Sequence, residues 1–173
     1  LGLALSGGGF RAALFHVGVL AQLAEQDLLR FISVISTVSG GSIIGASYYL
    51  KVKQLLEGHR TDQLEPTADG YRLLVRELEE EFVKAIQHNL RVITFADGGK
   101  NARMLSENYS STIRMAELFN AYFFTPIVGA RTICLHDLPI SPIFDSVAVG
   151  AEQAAGEHAF SVPKLVLNAT ALN

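Results

Sequence analysis

Phe31-Ile32-Ser33-Val34-Ile35-Ser36-Thr37-Val38-Ser39-Gly40-Gly41-Ser42 is the stretch that decides the fold. Its β-branched run favours a pleated backbone and predicts a strand over 31–38. The glycines after Ser39 permit a sharp turn, and a helical stretch follows to about Leu56. The same pattern occurs once upstream. Leu1 to Ser6 is a short apolar run ended by Gly7, Gly8 and Gly9, after which Leu14, Val17, Leu20, Ala21 and Ala24 fall at helical spacing. The two alanines narrow that face and would let the helix lie close against a sheet. Strands joined through a helix are normally parallel with a right-handed crossover, so the first two strands are expected as neighbours. Both glycine turns then stand at the carboxyl end of the sheet, where ligands bind in such folds.

Further along, Glu57 to Gly70 is polar, carries Gly58, Pro66 and Gly70, and reads as a surface connection. Leu74, Leu78, Phe82 and Ile86 form one apolar helical stripe. Glu77 to Glu81 reads as its solvated face, with Glu80 and Lys84 spaced for an i,i+4 pair. Asn101 to Phe124 is a third helical stretch with Met115, Leu118, Phe119 and Tyr122 at helix spacing. Core packing is its plain reading, and an apolar cover over a lipid site is the sharper one. His136 to Asp145, with Pro139 and Pro142, reads as a loop, and Leu165 to Thr170 as a buried strand.

The 173 residues are 49% hydrophobic and 18% charged, enough apolar material for one sizeable core. One domain over 1–173 is expected. Leu1 opens directly in a strand-like segment and Asn173 closely follows another, so both ends read as cut and the domain as incomplete at its C-terminus. A net charge of -3 gives no bulk basic surface for nucleic acid. The single cysteine, Cys134, has no partner for an internal disulfide or a Cys-based metal site, which fits a reducing, cytoplasmic setting. No run approaches the roughly 20 apolar residues of a membrane-spanning helix. Membrane contact, if made, would be peripheral.

Ser39 stands between strand and helix, where small neighbours let the chain turn and leave a hydroxyl outward, as in a nucleophile elbow. Its backbone sits at the positive end of the helix dipole, which favours developing negative charge. The elbow pattern is Gly-x-Ser-x-Gly; here it reads Thr37-Val38-Ser39-Gly40-Gly41, with threonine at the upstream glycine. An ordinary N-cap serine is the competing reading. Ser42 fits the elbow less well, because Ile44 follows it at the glycine position.

Gly7-Gly8-Gly9-Phe10-Arg11-Ala12 fits Gly-x-Gly-x-x-Gly/Ala opening a helix. One reading is a dinucleotide fingerprint, which wants an acid at the end of the next strand; Val38 and Ser39 stand there instead. The other is an amide-rich turn that holds an oxyanion. A bare tight turn is the third.

Ser6-Gly7-Gly8-Gly9-Phe10-Arg11, the following Leu14-Phe15-His16-Val17-Gly18-Val19-Leu20, and Thr37-Val38-Ser39-Gly40-Gly41-Ser42 together resemble the opening of patatin-like phospholipases. Leu167-Asn168-Ala169-Thr170 resembles a later strand of that fold. The resemblance implies a three-layer α/β/α domain with a mainly parallel sheet. It also implies a lipid acyl hydrolase with Ser39 as nucleophile of a Ser-Asp dyad, the amides of Gly7, Gly8 and Gly9 as oxyanion hole, and Gly40 and Gly41 shaping the elbow. Arg11 would orient the glycine loop or meet a phosphate head group; a helix-start ion pair is the alternative. A non-catalytic lipid-binding scaffold and a nucleotide-binding module remain the rival functions.

The family's aspartate sits in an Asp-Gly-Gly or Asp-Gly-Ala turn. Asp97-Gly98-Gly99 is such a tripeptide but precedes the Asn-Ala-Thr strand, so the partner is expected beyond Asn173. His16, on the first helix, reads as structural. His59, His88, His136 and His158 show no metal-ligand spacing, and no metal or cofactor is called for. A histidine-dependent triad would draw on His136 or His158. A lipid or acyl ester is the one partner these readings suggest.

Overall fold

The computed structural model describes residues 1–60, 62, 64–88, 90–96, 99, 109–129 and 162–170. They fall in two compact units, Leu1–Glu79 with Cys134–Asn173, and Glu80–Ile133. In the first, β1 (Gly2–Leu5), β2 (Val34–Val38) and β3 (Lys164–Asn168) form a parallel sheet in the order β1-β2-β3. Period-2 alternation buries Leu3 and Leu5, which stand in register with the buried Ile35 and Thr37 of β2. The helix α2 (Gly40–Leu56) covers this face, bringing Gly45 against Leu5 and Thr37.

The helix α1 (Gly9–Glu25) packs on α2 and buries Ala13, His16, Val17, Leu20 and Ala24. Val17, Leu20 and Ala24 are buried as the spacing predicted, whereas Leu14 is 39% exposed and Ala21 half-buried, with Ala13 and His16 buried beside the stripe. Close helix approach favours the small Ala13, fully buried, over the larger Leu14. The second strand is also shorter than expected. Leu29–Phe31 forms a 3-10 turn in which Phe31 N–H donates to the Leu28 carbonyl, so parallel pairing begins only at Val34. Between α1 and that turn Asp27 takes a positive φ of 54° and pairs with Arg30.

The third strand is not buried as predicted: among the described residues it lies at the sheet edge, with Val166 42% and Leu167 38% exposed. Its Asn168 side chain donates to Ser36 Oγ and to the Thr37 carbonyl, each at 3.0 Å, and so ties the end of β3 to β2.

The helix α3 (Ala68–Gln87) starts two residues before Gly70, inside the expected connection, because Thr67 caps it by accepting from Gly70 N–H at 3.2 Å. Its stripe is buried at Leu74, Leu78 and Phe82 as the spacing predicted, with Tyr71 and Val75 added. Glu79 and Glu80 are solvated, whereas Glu77 is drawn into a cluster. It accepts from Arg60 at 2.9 Å and from the buried Lys51 of α2 at 3.5 Å. Arg60 also donates through Nε to Asp62 at 2.9 Å, so the connection is tied to α3 through Glu77.

The second unit holds α4 (Leu90–Ala96), a helix over Ser111–Phe119, a π-helical turn over Asn120–Phe124 and a short helix over Thr125–Val128. Within the predicted third helical stretch one helix starts at Ser111, where Ser110 accepts from Ile113 N–H at 3.2 Å; residues 101–108 lie outside the described ones. Phe123 is buried, 5.0 Å from the Phe82 ring and 5.9 Å from Phe119, an arrangement that makes it core.

Candidate active site

Because β1 and β2 run parallel, the turns that follow them emerge side by side. Glycine lets them touch. A β-carbon on Gly40 would lie 2.2 Å from the Gly9 carbonyl oxygen, and one on Gly41 would lie 2.4 Å from that of Leu5. Any other residue at either position would wedge the two turns apart. Gly7 is close too, a β-carbon there standing 3.3 Å from Ser39 Cβ. Gly8 and Gly9 take φ of 139° and 66°, a region that side chains disfavour.

Ser39 occupies the position just before α2 at φ 51° and ψ -118°. A non-glycine residue pays in strain for such a backbone, on the order of 1–3 kcal/mol. The N-cap reading would have its hydroxyl accept from a first-turn N–H. No such bond is made; the backbone closes the turn instead, Ser42 N–H donating to the Ser39 carbonyl at 2.8 Å. The residue is exposed and, among the described residues, no carboxylate bonds its hydroxyl. Strained backbone, uncapped hydroxyl and small neighbours together give the elbow geometry rather than a helix cap.

Threonine at the upstream elbow position is accommodated by the packing around it. Thr37 is fully buried, and its Oγ1 lies 3.2 Å from the Val166 carbonyl of β3 and 3.0 Å from Ser42 Oγ. A carbonyl only accepts, so a threonine bonded to both donates to Val166 and accepts from Ser42. Its methyl faces Gly45, where a β-carbon would lie 2.5 Å from Cγ2. The space that an upstream glycine would have left on the strand is therefore provided by a glycine on the helix.

Arg11 is exposed and makes no ion pair among the described residues, which leaves the helix-start pairing without support. His16 is buried, with Nε2 3.1 Å from the Ser6 carbonyl and 3.3 Å from Ser6 Oγ. His59 and His88 are exposed, away from this site in sequence and bonding: His59 meets Glu57 at 3.3 Å and His88 stacks on Tyr122 at 4.5 Å. Asp97, Gly98, Cys134, His136, the 136–145 loop and His158 lie outside the described residues. Sequence reasoning missed Gly45 and the bond from His16; a glycine within a helix and a histidine on its buried side are the signals that point to them.

A parallel sheet whose first strand ends in a glycine turn, and whose second ends in a strained serine close to that turn, defines an α/β protein. The patatin-like phospholipase family model matches residues 3–134, and the chain belongs to that family. Its fold is accordingly three-layer α/β/α, and the family generally hydrolyses lipid esters. No curated protein and no solved structure matched the chain. Among the described residues no helix is long and apolar enough to cross a membrane.

Proposed function

We propose that the protein is a lipid acyl hydrolase in which Ser39 is the nucleophile. The observation that carries this reading is the strained, uncapped Ser39 held against Gly7 by two interlocking glycine turns. Ser39 Oγ attacks the ester carbonyl carbon while its proton passes to a carboxylate base, the dyad aspartate that the family resemblance implies. The carbonyl π electrons move onto oxygen. Amides of the Gly7–Gly9 turn, together with the N-terminus of α2, stabilise that oxyanion. Collapse expels the alcohol portion of the lipid, which takes the proton, and leaves an acyl ester on Ser39. Water then adds to this ester by the same route, releasing the fatty acid and restoring the serine.

Arg11, exposed on the first turn of α1 beside the glycines, is suited to a phosphate head group. The substrate class that follows is a phospholipid or lysophospholipid met at a membrane or micelle surface. Hydrolysis of such an ester should be readily measured in the wild type. Ser39→Ala is expected to lower kcat at least ~1,000-fold, in keeping with nucleophile removal elsewhere. A variant that keeps wild-type turnover would show that another group attacks.

A further inference from the structure

We infer that His16 is a positioning residue that aims the Gly7 amide, an inference that rests on the proposed oxyanion role of the glycine turn. The imidazole is buried at 5% exposure on the first helix, and the reaction gives it no direct part. Its Nε2 lies 3.1 Å from the carbonyl oxygen of Ser6. That oxygen can only accept, so Nε2 carries the proton and Ser6 Oγ, at 3.3 Å, is a second acceptor of the same N–H.

The Ser6 carbonyl shares a rigid peptide plane with the Gly7 N–H, and in a trans peptide the two point in opposite directions. Fixing one fixes the other. The helix α2 also approaches this carbonyl, since a β-carbon on Gly41 would lie 2.7 Å from it. The oxygen is thus bonded by an imidazole on α1 and lies close to a glycine on α2, two contacts that restrain the peptide. Of the three glycines in this turn only Gly7 would bring a β-carbon within 4 Å of Ser39, so it is this amide whose direction matters for a charge developing there. Glycine itself imposes no such direction. His16 supplies the constraint that the triglycine sequence lacks.

The test compares His16→Gln, which places an amide N–H where Nε2 stands, with His16→Met, which fills similar space without a donor. The readouts are kcat and KM on a soluble short-chain ester, the rate of Ser39 labelling by a fluorophosphonate, and thermal unfolding. His16→Gln should stay within about 3-fold of wild type. His16→Met should lose about 10-fold or more in kcat and labelling rate at unchanged KM, as displaced donors do. If the methionine variant does not fold, His16→Asn takes its place, its shorter amide falling short of the carbonyl, with the same loss expected. Equal rates in the glutamine variant and in the methionine or asparagine variant overturn this inference alone. An unreactive wild type overturns the reading of Ser39 and this inference with it.

Discussion

Thr37 on β2 and Gly45 on α2 interlock: a β-carbon on Gly45 would stand 2.5 Å from Thr37 Cγ2. Thr37 is fully buried and bonded through Oγ1, so its methyl has nowhere to retreat. Gly45→Ala gains at most about 1 kcal/mol in helix propensity but overpacks this contact at a cost of about 1–3 kcal/mol. Net destabilisation is expected. Thr37→Ser removes the methyl and keeps the hydroxyl, so the double variant should recover about 1–2 kcal/mol of coupling in a denaturation cycle. Strict additivity would mean that the two side chains do not meet as described.

Glycine has different consequences at two helical positions of the first unit. Gly40→Ala would put a β-carbon 2.2 Å from the Gly9 carbonyl and force the glycine turn off the elbow. Turnover is expected to fall about 100-fold, the effect of an ångström-scale misplacement. Gly18, exposed in the middle of α1, has nothing within 4 Å of a β-carbon. Gly18→Ala should therefore stabilise by about 1 kcal/mol with unchanged kcat. Paired melting curves and ester assays check both outcomes.

The backbone of Ser39 makes its own prediction. At φ 51° and ψ -118° a glycine is comfortable and a serine is not. Ser39→Gly loses some stability through a freer unfolded chain, about 0.4–1 kcal/mol, against strain relief of about 1–3 kcal/mol. The variant should be inactive yet about 1 kcal/mol more stable in urea than wild type, whereas Ser39→Ala should show no such gain.

Asp62 supplies a pH test remote from the catalytic proposal. Its hydrogen bond from Arg60 lowers the carboxyl pKa from 3.8 to about 2. Between these values the unfolded chain binds more protons than the folded one, so stability rises with pH across the window. The contribution is present above about pH 4 and is lost as pH falls towards 2. Asp62→Asn should flatten this part of the stability profile, and NMR titration of the Asp62 carboxyl should show the lowered midpoint directly.

The strand–turn–helix units were legible because glycine runs punctuate them and because β-branched and helical periodicities differ on either side. Parallel pairing followed from connectivity alone. The exposed face of α1 was not legible: hydrophobicity ranks Leu14 above Ala13, while close packing on α2 selects the smaller side chain. Nor was the compensation at Thr37, since it depends on a glycine in the following helix whose contact exists only once β2 and α2 have packed. For Ser39 the spacing of neighbours suggested an elbow, but the choice between elbow and cap needed the backbone angles and the missing cap bond.

The most direct test of the central proposal is where an activated phosphonate lands. Wild-type protein treated with a fluorophosphonate, digested with trypsin and sequenced by mass spectrometry should carry one adduct in the Phe31–Lys51 peptide, on Ser39, and Ser39→Ala should carry none. An adduct on Ser42, or undiminished labelling of Ser39→Ala, would contradict the assignment of Ser39 as nucleophile.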